Sequence, residues 1–139
     1  INTMSLSDNE RNALVDLYWE KSKNTMDEAR ATYSMKLWSS TANRLYYAMF
    51  HALKALFVKD KKDAATHHGM RALLGNDYVR TGLISSEQNK VFSNMETLRE
   101  KADYDCCFNV SVEEIDAKIP LVEDFLKRIA ELIGKEYKA

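Results

Sequence analysis

Two groups of residues in this chain have the types and the spacing to do chemistry. Ser40, Arg44, Tyr47, His51 and Lys54 follow one another at alternating steps of four and three, so at about 100° per residue they form one stripe along a helix. A polar stripe on an otherwise apolar helix has to meet a second polar helix, a partner subunit or a ligand, and its imidazole can move a proton near neutral pH. The second group is Arg99-Glu-Lys-Ala-Asp-Tyr104. Its guanidinium can stabilise negative charge, and Asp103 lies one helical turn further on. Each group also has a plainer reading. Arg44 and His51 can hydrogen-bond to carboxylates or carbonyls of neighbouring helices and hold a bundle in register, and Asp103 can pair with Arg99 to close a helix end.

Two further pairs invite chemistry without supporting it. His67 and His68 are adjacent, so on a helix they point in different directions, and Asp63, the residue with helical ligand spacing to His67, falls in a charged loop. No metal and no cofactor is expected there or elsewhere. Cys106 and Cys107 are also adjacent, which makes a mutual disulfide awkward and leaves too few thiols for a zinc site.

The stripe sits on Trp38 to Phe57. From Leu45 to Phe57 only His51 and Lys54 carry strongly polar side chains, and neither Gly nor Pro intervenes, which predicts a helix buried on most sides. Ahead of it, Ser7-Asp-Asn-Glu10 has capping-box spacing and opens a helix whose apolar pattern runs through Leu14, Leu17, Tyr18, Ala29 and Tyr33 to about Ser34. Met35 to Leu37 connects the two. Lys59 to Asp63 closes the central helix with solvated charge, and Thr66 to Val79 reads as a shorter, less regular segment.

Thr81-Gly-Leu83 is a stop, and Ser85 to Gln88 is a second capping box. The helix it opens buries Val91, Phe92, Met95, Leu98 and Ala102 and carries Arg99. Ser111-Val-Glu-Glu114 is a third box. The last helix has the cleanest repeat: Val112, Ile115, Ile119, Val122, Leu126, Ile129 and Ile133 alternate steps of three and four. Pro120 is expected to loosen that helix near Asp116, and Gly134 to fray its end. The sum is an all-α, up-and-down antiparallel bundle of about four long helices plus a short irregular one, in a single domain over 1–139.

Composition agrees. A chain of 139 residues with 45% hydrophobic residues has one real core, and only four Gly and one Pro favour long helices over tight turns. A net charge of −1 gives no general attraction to nucleic acid or anionic membrane, so any RNA or DNA contact rests on a local patch. No apolar run approaches the roughly 20 residues that cross a bilayer, and no signal-peptide pattern is present. A soluble, cytoplasmic protein without a membrane partner is expected. The chain opens on Ile1, so its N-terminus is expected either to extend further upstream or to start at Met4.

Four blocks together resemble the small stand-alone prokaryotic branch of the HEPN superfamily: Asn43-Arg-Leu-Tyr-Tyr-Ala-Met-Phe-His-Ala-Leu-Lys-Ala-Leu56, His68-Gly69, Val79-Arg-Thr-Gly82 and Arg99-Glu-Lys-Ala-Asp-Tyr104. The resemblance covers about Leu14 to Ile133. It implies a helical bundle that commonly dimerises and is often encoded beside a minimal nucleotidyltransferase, the bundle being the toxin-like ribonuclease and the nucleotidyltransferase its antitoxin. Family ribonucleases use an Arg followed after four to six residues by His, without a metal. The imidazole moves protons for attack of an RNA 2′-hydroxyl on the adjacent phosphate, and the arginine stabilises the phosphorane oxygens.

Carried over, Arg99 matches the arginine, but Tyr104, preceded by Asp103, stands where the histidine falls, and no histidine follows Arg99. A phenol, ordinarily titrating near about 10, is a poor proton shuttle at neutral pH. Arg44 and His51, with six residues between them, meet the spacing instead, and a dimer could set them opposite Arg99 as a composite site. Three accounts stay open: a ribonuclease or degenerate relative with Arg99, Asp103 and Tyr104 as its site; a non-catalytic module that binds a nucleotide, RNA or a nucleotidyltransferase partner through Ser40, Arg44, Tyr47, His51 and Lys54; and a buried network that only fixes helix register.

Overall fold

Ser7 begins the first helix as its spacing requires. Its Oγ accepts from the Glu10 amide at 3.2 Å, and the Glu10 carboxylate accepts from the Ser7 amide at 2.9 Å. The computed structural model describes residues 5–138, so Met4 lies outside them. Helix α1, Asp8–Ser34, is continuous, including Ser22 to Thr25, where the apolar pattern weakens. Its buried face runs through Arg11, Val15, Trp19, Ser22, Met26 and Ala29. Ser22 stands where an apolar residue would, because its hydroxyl donates to the Ala48 carbonyl of the next helix at 2.6 Å. A small hydroxyl residue opposite an alanine lets the two helices approach closely, and the bond satisfies the buried oxygen. Leu17, expected on the core side, is 67% exposed.

Helix α2, Trp38–Lys59, is the centre of the molecule and packs against every other long helix. Leu45, Tyr46, Met49, Leu53 and Leu56 are buried essentially completely, each large apolar side chain contributing about 1.5–3 kcal/mol. The remaining elements are α3, His67–Leu73, with a widened π-helical continuation over Leu74–Val79; α4, Ser86–Tyr104; and α5, Val112–Ile133. The irregular segment thus falls where it was expected. Its wide turns keep both Leu74 and Tyr78 in the core, and Tyr78 donates to Asp60 at 2.7 Å.

Three helices end in the same way. After α1, Leu37 N–H bonds to Thr32 and Lys36 N–H to Tyr33, with Lys36 left-handed at φ 61°. After α2, Lys62 bonds to Phe57 and Lys61 to Val58, with Lys61 at φ 59°. After α5, Lys135 bonds to Ala130 across Gly134 at φ 73°. These are Schellman turns, which satisfy the last carbonyls of each helix. Gly134 therefore caps α5 and does not fray it.

Two other details of α5 concern Pro120 and the N-cap. The helix continues through Pro120, whose ring nitrogen has no hydrogen to give the Asp116 carbonyl. Its N-cap is half a capping box: Ser111 Oγ accepts from the Glu114 amide at 3.2 Å, while the Glu114 carboxylate takes the Ser111 hydroxyl and not its amide. Among the described residues no helix is long and apolar enough to cross a membrane.

Candidate functional site

Arg99 lies on the core side of α4, one turn beyond Met95 and Glu96, and is only 5% exposed. The guanidinium carbon sits 5.0 Å from the ring centroid of Tyr46 and 5.6 Å from that of Tyr47, so aromatic faces hold it. Its carboxylate contacts are long, 3.7 Å to Asp103 and 3.8 Å to Glu100, and its buried Nε has no partner. Burial opposes the charge, but Tyr47, Tyr46, Asp103 and Glu100 outweigh it and raise the pKa. The result is a fixed cation that no carboxylate grips in the two-pronged geometry arginine prefers.

Asp103 is shared. Its Oδ2 accepts from Asn43 Nδ2 at 3.0 Å, and Asn43 Oδ1 accepts from Arg44 at 2.7 and 3.0 Å. Arg44 also reaches Glu28 at 3.2 Å. A continuous polar chain therefore joins α1, α2 and α4.

On the other side of Tyr46 stands His67, the first residue of α3, which Thr66 caps by accepting the Gly69 amide at 2.9 Å. His67 Nδ1 is 2.7 Å from the Tyr46 hydroxyl, which in turn lies 3.4 Å from Glu96 Oε2. Glu96 is 4% exposed and pairs with Arg71 Nε at 3.1 Å. Burial, then the Glu96 charge, pushes the Tyr46 phenol well above its ordinary pKa, so it remains a neutral donor. The His67 ring stacks on Tyr46 at 5.9 Å and leans on Phe50 at 5.1 Å.

Arg99 and His67 open onto one cleft of about 630 Å³, lined also by Tyr47, Glu100, Lys101, Tyr104 and Asp105. Tyr104, 79% exposed, stands at its edge. Of the residues singled out in the sequence, Tyr47, Arg99 and Tyr104 line the cleft, and Asp103 and Arg44 adjoin it through hydrogen bonds. The rest of the stripe lies apart. Ser40 is exposed at the start of α2, and Lys54 donates to the Ala64 carbonyl at 2.8 Å. His51 Nδ1 is buried without a partner. Burial first, then the charges of Lys21 and Arg44, lower the His51 pKa to about 4, so it is a neutral ring at neutral pH.

Sequence reasoning weighed His67 only as a metal ligand and gave Tyr46, Glu96 and Asn43 no role in the site. One signal was available: Phe92, Met95, Glu96 and Arg99 share a face at helical spacing, and two charges on an apolar face need buried partners. Among the described residues no three His, Cys, Asp or Glu side chains converge as a metal site needs. Cys106 and Cys107 are free, exposed thiols.

Comparison with known proteins bears on this site. The profile of the HEPN domain matches residues 15–133. The chain is 26% identical over 125 residues to a "UPF0332 protein" of Thermotoga maritima, covering 90% of this chain and 95% of that one. It is 29% identical over 110 residues to "Putative toxin MJ0605" of Methanocaldococcus jannaschii, covering 79% of this chain and 81% of the relative. A second protein of that organism, "Putative toxin MJ0142", is 23% identical over 97 residues, 70% of this chain and 66% of the relative. With a helical bundle built around α2 and a family match over most of its length, the chain belongs to the HEPN domain family.

Proposed function

We propose that the chain is the toxin-like member of a HEPN and nucleotidyltransferase pair, and that its Arg99 cleft cleaves RNA without a metal ion. The observation that carries this is a buried, loosely paired guanidinium at the base of an open cleft. Such a cation stabilises the charge that gathers on the equatorial oxygens when a 2′-oxygen attacks phosphorus, and it needs no reorganisation to do so. Tyr104, 79% exposed at the cleft edge, offers a ring on which an unpaired base can stack, a contact open to any sequence. Family membership and two relatives named as toxins support the biological setting. The working unit in this reading is a homodimer, with the cleft edge at Tyr104 turned to the second copy and a minimal nucleotidyltransferase as antitoxin.

A second reading, in which the cleft binds a nucleotide, RNA or the partner without cleaving, is favoured by one fact: Tyr104 stands on α4 where the family's histidine falls. One experiment separates them. Purified protein is incubated with a mixed RNA pool in chelator, beside Arg99→Ala verified to be folded. Cleavage by the unaltered chain alone, leaving 2′,3′-cyclic phosphate ends, is the expected result. An intact pool in both reactions, when an active HEPN ribonuclease cuts it, selects the binding module.

A further inference from the structure

We infer that His67 is the proton-transferring residue of the Arg99 cleft, supplied by α3 where α4 supplies none. The inference rests on the RNA-cleaving reading above and adds to it a residue from a different helix. A tyrosine hydroxyl has a single hydrogen. At Tyr46 we assign that hydrogen to Glu96 Oε2 at 3.4 Å, because a carboxylate oxygen can only accept, whereas a histidine nitrogen can donate; Arg71 Nε pairs with the same carboxylate at 3.1 Å. The hydroxyl oxygen is then an acceptor toward His67 Nδ1 at 2.7 Å. In this assignment His67 carries its proton on Nδ1 and leaves the Nε2 lone pair free. This is the logic by which a buried carboxylate fixes the tautomer of a catalytic imidazole, with a phenol interposed.

Position agrees with tautomer. His67 packs on Tyr46 and Tyr47, the two rings that also carry the Arg99 guanidinium. Both groups line the same cleft, and the His67 side chain is 44% exposed. Among the described residues no protein group engages Nε2. His51 does not line this cleft.

In the step assigned here, the RNA 2′-hydroxyl gives its proton to His67 Nε2 while its oxygen bonds to phosphorus. The bond from phosphorus to the 5′-oxygen breaks, and that oxygen takes a proton from water. The hydroxide so formed removes the proton from His67, which returns to its neutral form. Arg99 holds the phosphorane oxygens throughout.

The test compares the unaltered chain, His67→Ala, His67→Asn and Arg99→Ala on a fluorogenic RNA oligonucleotide in chelator, with a 2′-O-methyl oligonucleotide to read binding. His67→Asn keeps a donor toward Tyr46, so it guards against a merely structural loss. Both His67 variants should lose about 10²–10⁴-fold in kcat. They should bind the uncleavable oligonucleotide within about threefold of the unaltered chain. Added imidazole should restore part of the His67→Ala rate and none of the Arg99→Ala rate. His67 variants that cleave within about threefold of the unaltered chain while Arg99→Ala is inactive overturn the inference and leave the cleft reading in place. An unaltered chain that binds RNA and never cleaves it overturns both.

Discussion

Replacing Tyr46 by phenylalanine removes one oxygen from the middle of the molecule and leaves its packing intact. The ring is fully buried, stacks on Phe92 at 5.4 Å and lies under Arg99 at 5.0 Å, contacts that phenylalanine keeps. What disappears is the bond to His67 at 2.7 Å and the longer one to Glu96 at 3.4 Å. The first is worth about 1 kcal/mol net, and the second, long but toward a charge, about 0.5–1 kcal/mol. Glu96 retains Arg71, so the full penalty of a stranded buried carboxylate does not arise. The expected loss is about 1.5–2 kcal/mol, or a Tm lower by about 5–7 °C in a domain of this size. Tyr47→Phe is the control, because no hydrogen bond engages its hydroxyl among the described residues; it should stay within about 0.5 kcal/mol of the unaltered chain. Urea unfolding followed by circular dichroism at pH 7 measures both. A Tyr46→Phe loss no larger than that of Tyr47→Phe would refute the hydroxyl relay from His67 to Glu96. If the relay holds, combining Tyr46→Phe with Glu96→Gln should show a coupling of about 0.5–1 kcal/mol between the two sites.

Acid should expose His51. Its pKa is about 4 in the fold against about 6.5 in the unfolded chain, so below pH 6.5 the unfolded state gains a proton that the fold refuses. Stability from this residue is present above about pH 6.5 and lost as pH falls toward 4; screening at its partly exposed ring limits the loss to about 1–2 kcal/mol. Urea midpoints at pH 7 and pH 4.5 should fall further for the unaltered chain than for His51→Gln. Lys61→Gly should stabilise by about 0.5–1 kcal/mol because it relieves a left-handed lysine, and Gly134→Ala should destabilise by about 1 kcal/mol for the opposite reason. Ser7→Ala, which removes a complete capping box, should cost about 1 kcal/mol in thermal unfolding.

The helices were legible because their signals are local. Capping serines at 7, 85 and 111 and the stripe from Val112 to Ile133 set ends and faces within a few residues of themselves. The turns at Lys36 and Lys61 were less legible, since a lysine at positive φ has no glycine to announce it. Half of the candidate site followed from Arg99, Tyr47 and Tyr104. The other half did not, because His67, Tyr46 and Glu96 come from three helices and meet only after folding. The stripe from Ser40 to Lys54 shows the converse. Its spacing places all five residues on one face of α2, yet different neighbours divide that face between the Arg99 cleft and the surroundings of His51.

The central claim is that RNA occupies the Arg99 cleft. Amide chemical-shift mapping of the labelled protein during titration with a 2′-O-methyl RNA oligonucleotide locates the bound strand directly. Shifts clustered at Tyr47, His67, Arg99 and Tyr104, lost in Arg99→Ala and weakening as salt rises, are the predicted result. Shifts confined to Lys21, His51 and Lys54, or none at saturating oligonucleotide, would contradict it.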